Sequence, residues 1–122
     1  MRVAFFWVLL LAVSCKPHSE LIYEDEMLEL IPDSIIGPDK MAAILMDVHL
    51  AEATVQETAS DSVRMQKDKI LAGYYGYILE LHGENQEHFV QSYRYYEAHP
   101  LILNRVYQQV IEDLSLLERK YK

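Results

Sequence analysis

The stretch PDKMAAILMDVHLAEATV, residues 38–55, decides how this chain folds. Met41, Ile44, Leu45, Val48, Ala51 and Val55 recur at the i, i+3, i+4, i+7 spacing of one helix face. Pro38 suits a first helical position, where its missing N–H has no partner to lose. The pattern predicts a helix from Pro38 to about Thr58. No comparable run alternates apolar and polar residues as a half-buried strand does.

The same period continues downstream. Ala59-Ser60-Asp61 predicts a break, with Ser60 or Asp61 capping a second helix that runs to about His82. Val63, Lys67, Ile70, Leu71, Tyr74, Tyr77, Ile78 and Leu81 share one side of it, and Gly83 offers the left-handed stop. Asn85 is the expected N-cap of a third helix carrying Phe89, Tyr93 and Tyr96. His99-Pro100 ends that helix, because a residue before proline avoids the helical region. Pro100 opens a fourth helix, striped by Leu103, Val106, Tyr107, Val110, Leu114, Leu117 and Tyr121. Each stripe needs another to cover it. The expectation is an all-α fold, a small bundle of four amphipathic helices over residues 38–122.

Upstream, Met1-Arg2 is a short positive start and Val3 to Val13 an unbroken apolar run. Ser14 and then Cys15 follow, in the order of a secretory signal. Leu11-Ala12-Val13-Ser14-Cys15 resembles the lipobox cut by the lipoprotein signal peptidase, although Ala12 stands where Leu is usual. The chemistry requires a cysteine, because its thiol takes the diacylglyceryl group as a thioether. Residues 1–14 read as a signal peptide, and 15–37 as a lipidated Cys15 and tether punctuated by Pro17, Pro32 and Gly37. The apolar Leu28, Leu30, Ile31, Ile35 and Ile36 suggest that part of the tether lies along the domain. The competing reading, an uncleaved anchor, needs roughly 20 apolar residues, and this run has eleven. Lys16, in place of the Asp of an inner-membrane retention signal, favours the outer membrane. The acids Glu24-Asp25-Glu26 come too late for surface export, which leaves the body facing the periplasm.

Composition narrows the function. With 19 acidic and 11 basic residues the formal charge is −8. Nucleic acid is excluded as a partner, since phosphates need clustered Lys and Arg. The single cysteine forms neither an internal disulfide nor a Cys-based zinc site. No Gly-x-Ser-x-Gly context, phosphate loop or dinucleotide fingerprint is present. No catalytic residue and no cofactor are therefore expected, and the chain reads as no enzyme.

Two constellations remain. His49 and Glu52 lie three apart on the first helix. With Met41 at zero, Glu52 falls at about 20°, inside the apolar stripe, and His49 at about 80°, at its edge. This is a candidate buried polar pair. Glu52 can bond a Tyr or Arg of a facing helix, reach water at the rim, or ligate a metal with His49. A di-metal bundle site needs two such units and two further carboxylates, so no metal is expected. His82, His88 and His99 sit at helix ends, and His82 and His99 are near C-termini, where imidazoles meet free carbonyls. Nine tyrosines are many for this length. The densest piece is Ser92-Tyr93-Arg94-Tyr95-Tyr96. If Tyr93 and Tyr96 point inward, Arg94 and Tyr95 point out as a candidate partner surface.

The stretches Lys40 to Ala53, Tyr77-Ile78-Leu79 with His82-Gly83, and Phe89, Ser92, Tyr95-Tyr96, Pro100 and Tyr107 resemble, together with the lipobox, a family of small helical lipoproteins from Bacteroidota that carries a domain of unknown function. The resemblance implies a lipid-anchored helical domain and brings no activity or ligand. The expected role is a non-catalytic interaction module, tied to the membrane by lipid on Cys15 and engaging an envelope protein. The alternative is a carrier of a small or lipidic ligand.

Overall fold

The computed structural model describes residues 26–58 and 60–122. Cys15 and the leader lie outside the described residues. A single helical turn at residues 26–29 precedes five helices: α1 (Pro38–Glu57), α2 (Asp61–Met65), α3 (Lys67–Leu81), α4 (Gln86–Glu97) and α5 (Pro100–Tyr121). The fold is all-α, with four long helices forming the bundle.

α1 is the central element. It packs against α5 and α3, while α4 closes against both of those. The reason is its composition. Met41, Ala42, Ile44, Leu45 and Val55 are buried, and Met46, Val48 and Ala51 pack at the core's edge. A helix apolar this far round needs neighbours on several sides. Pro38 opens α1 and Pro100 opens α5, as expected.

The connection between α3 and α4 is made by two local devices. Gly83, at φ +69°, ends α3: its N–H bonds Glu80 O, and the Glu84 N–H bonds Leu79 O at 2.8 Å. That double bond is the Schellman stop, which needs a left-handed residue. Asn85 then accepts from the His88 N–H at 2.8 Å as the N-cap of α4. The turn fixes where Glu84 and His88 stand.

Four expectations are corrected. The folded unit starts before Pro38: Ile36 is 2 % exposed, and Met27, Leu28, Ile31 and Ile35 pack on the core. The part of the tether expected to lie along the domain does so: from residue 26 on it is a strap, although Leu30 is exposed. The second helix is broken at Gln66 into α2 and α3. α2 buries no residue, so no packing keeps it collinear with α3. In α5 the deepest residues are Ile102, Val106 and Val110, with Leu103 and Tyr107 to one side and Tyr121 exposed.

The fourth correction concerns α3. Its buried residues are Leu71, Ile78 and Leu79, while Tyr74, Tyr77 and Leu81 face solvent. Measured from Leu71, the buried set centres on about 20°, and Ile70, Tyr74, Tyr77 and Leu81 on about 270°. The helix is apolar over more than half its circumference, and the bundle covers only part of that.

Candidate functional site

α4 holds the strap by its backbone. His88, Ser92 and Tyr96 follow at intervals of four, so they share one face of the helix. The Ile36 N–H donates to Ser92 Oγ at 2.9 Å, and the Tyr96 hydroxyl donates to Ile36 O at 2.7 Å. Both side chains are 0 % exposed. The ring of His88 meets Ser34 O through Nε2 at 3.0 Å and the Glu84 carboxylate through Nδ1. Both ring nitrogens thus face acceptors, which suits the doubly protonated ring. Lys40 Nζ reaches the other Glu84 oxygen at 2.6 Å.

These contacts set the titration of the pair. The hydrogen bond from Lys40, helped by His88, holds Glu84 below the usual carboxylate value. The hydrogen bond to Glu84, helped by Ser34 O, holds His88 above the usual imidazole value. A raised histidine stabilises the fold fully below its unfolded value of 6.5 and loses that contribution as pH rises through the folded value. A lowered glutamate stabilises fully above 4.5 and loses that contribution as pH falls through its folded value. The pair is therefore most stabilising between those two values. Wild type is expected to lose urea resistance as pH rises above about 6.5, and His88→Gln to lose distinctly less. Parallel losses in the two proteins would show that the strap does not depend on His88.

An open groove of about 550 Å³ runs between α1, α3 and α4, with Glu84, just before α4, and Tyr107 of α5 also lining it. Its apolar wall is built from Leu45, Val48, Ala72, Leu79 and Phe89. Gly76 borders it from α3, and a Cβ added there meets nothing within 4 Å. Two hydrogen bonds lace its margins. The Tyr75 hydroxyl donates to Glu52 Oε1 at 2.7 Å, joining α3 to α1. The Tyr93 and Tyr107 hydroxyls meet at 3.2 Å, joining α4 to α5. The Glu52 carboxylate and burial push the Tyr75 hydroxyl up to about 12, and the contact with Tyr107, with burial, does the same for Tyr93.

Glu52 thus finds the tyrosine of a facing helix, one of its expected partners. It is not a buried pair with His49. Their side chains are 45 % and 44 % exposed, and His49 Nδ1 stands 3.8 Å from Glu52 Oε2. The cause is the groove itself, which leaves this edge of α1 uncovered. The His49 ring instead leans toward Tyr107, with centroids 6.1 Å apart. Among the described residues no three His, Cys, Asp or Glu side chains converge as a metal site would require.

Arg94 is exposed, but Tyr95 is half-buried, its ring stacked on His99 at 4.2 Å and set edge-on to Tyr96. His99 Nδ1 meets the Tyr95 carbonyl at 2.7 Å, as expected of a helix C-terminus. His82 does not follow that rule: its Nε2 lies 2.7 Å from Asp47 of α1. The clamp on Ile36 and the outer flank of α3 had no local sequence signal. Ser92 and Ile36 are 56 positions apart, and the α3 flank was read as core.

Among curated proteins and among solved structures, nothing matches the chain. A family model described as a domain of unknown function, DUF4296, matches residues 32–120, taking in the end of the strap, α1 to α4 and all of α5 but its last residue. The chain belongs to the DUF4296 family.

Proposed function

We propose that the protein is a lipid-anchored, non-catalytic interaction module of the cell envelope that engages a partner protein through the outer flank of α3. The observation behind this reading is the composition of residues 70–81. Glu80 is their only charged residue, yet Tyr77 is 59 % and Leu81 63 % exposed. Ile70, Gly73, Tyr74 and Tyr77 line a shallow depression there. An apolar stripe left in water marks an interaction surface, and tyrosine is enriched where binding energy concentrates. No helix among the described residues is long and apolar enough to cross a membrane. Lipid on Cys15 would supply the attachment, holding this flank at the membrane that carries its partner. Arg94, exposed on α4, belongs to a second and more polar surface.

A photo-crosslinking side chain at position 77 of the full chain, produced in cells, tests the flank. The expected result is a discrete heavier adduct that is missing when the probe sits at Gln108, on the exposed polar side of α5. An adduct of twice the chain's mass would put a second copy in place of the partner. The absence of any adduct at 74, 77 and 81 would remove the reading. The groove beside α1 favours a second reading, a carrier of a small amphiphile.

A further inference from the structure

The groove has a definite chemical preference. Its volume of about 550 Å³ lies within the roughly 300–1,000 Å³ of small-molecule sites. Among the described residues no Lys or Arg lines it, and its carboxylates are Glu52 and Glu84. Glu84 is already answered by Lys40 and His88. Glu52 is not. Its Oε1 takes the Tyr75 hydroxyl, while among the described residues Oε2 has only His49, beyond hydrogen-bonding distance. One carboxylate oxygen is therefore free at the mouth of an apolar trough. The rings of Tyr75, Phe89, Tyr93 and Tyr107 line the same groove, and the faces of such rings attract cations. The chain's net charge of −8 adds a long-range field of the same sign. An anionic head would bring like charge to Glu52, while Lys40 and His88 are already engaged by Glu84.

We propose that this groove binds an amphiphile with an alkyl body and an ammonium head, the body on the Leu45, Leu79 and Phe89 wall and the head at Glu52 Oε2. A fatty acid or an anionic phospholipid is disfavoured by the same geometry. The proposal rests on the carrier reading and is independent of the α3 flank.

Three probes with one tail separate the two: decylammonium, decanol and decanoate. Each is titrated calorimetrically, below its micelle concentration, into the mature chain from residue 15 on carrying Cys15→Ala. Decylammonium is expected to bind about tenfold or more tighter than decanoate, with decanol between them. Glu52→Gln is expected to bring the ammonium and carboxylate within about threefold of each other. Tyr75→Phe, which removes the hydroxyl and keeps the ring, should preserve the preference and so controls for loss of the α1–α3 link. Gly76→Leu, entering open space, should weaken all three probes while leaving the helical circular dichroism intact. Equal binding of the three heads would keep the carrier and overturn the ammonium. No binding of any probe would overturn both. Displacement of decylammonium by a lysine-rich amphipathic peptide of similar affinity would reassign the groove to a protein ligand and overturn the amphiphile.

Discussion

Tyr96→Ala is expected to remove most of the domain's stability. Truncating a fully buried aromatic ring costs about 3–5 kcal/mol from lost burial and the cavity left behind. Here the hydroxyl also serves the Ile36 carbonyl, at 2.7 Å in the interior. Leaving such a group unpaired costs about 1–3 kcal/mol more. Domains of this size are stable by only about 5–15 kcal/mol, so the variant should be partly unfolded without denaturant. Tyr96→Phe isolates the hydroxyl and is expected to cost about 1–3 kcal/mol. Ser92→Ala orphans the Ile36 N–H and should cost a similar amount. The two groups serve one peptide segment, so the double variant should cost less than the sum, because the strap needs to detach only once. Urea unfolding of wild type and the four variants gives these values. A Tyr96→Phe midpoint equal to wild type would mean that the Tyr96 hydroxyl contributes nothing to holding the strap.

The clamp also shows where reading the sequence stops. The all-α class, the openings at Pro38 and Pro100, the stop at Gly83 and the cap at Asn85 are local, and each follows from its own few residues. α1 was legible because the residues that its spacing puts on one face, Met41, Ile44, Leu45 and Val55, are the ones that the core buries. α3 was not. With Glu80 as the only charge in residues 70–81, apolar residues span more than half the helix, and periodicity cannot say which part faces inward. The core took Leu71, Ile78 and Leu79, a choice made by α1 and α4 rather than by α3. Ser92 looked like a polar residue in a tyrosine-rich run. Its role depends on Ile36, 56 positions away, and nothing local links them. Glu52 was legible as a carboxylate needing a partner, but Tyr75 was one of several candidates until the helices were placed. The groove had no sequence signal, because it is a gap between α3 and α4 rather than a motif.

Cys15→Ala is the substitution with the largest expected effect on where the protein resides. If Cys15 carries lipid as proposed, wild type takes up labelled palmitate and the variant takes up none. The difference is all-or-none because of how anchoring scales. Each buried methylene contributes about 0.8 kcal/mol, and a single fourteen-carbon chain gives only marginal, reversible binding. A diacylated or triacylated cysteine passes well beyond that point, so no equilibrium between membrane and water remains to be shifted. The body offers little to replace it. Among the described residues no helix is long and apolar enough to span a bilayer, and a chain of net charge −8 is repelled by anionic headgroups. Without the thiol the lipoprotein peptidase has no substrate, so the variant should accumulate as a precursor longer by the fourteen-residue leader. A version beginning at Lys16 behind an ordinary cleavable leader separates anchoring from processing, and it is expected in the soluble periplasmic fraction. Its circular dichroism should match that of the lipidated protein, because the strap that meets α4 begins well after Lys16. Equal palmitate labelling of wild type and Cys15→Ala would rule out the anchor. Retention of the Lys16 version on membranes would instead move the attachment to the body, and the α3 flank, with Tyr77 and Leu81 exposed, is the surface that would then have to account for it.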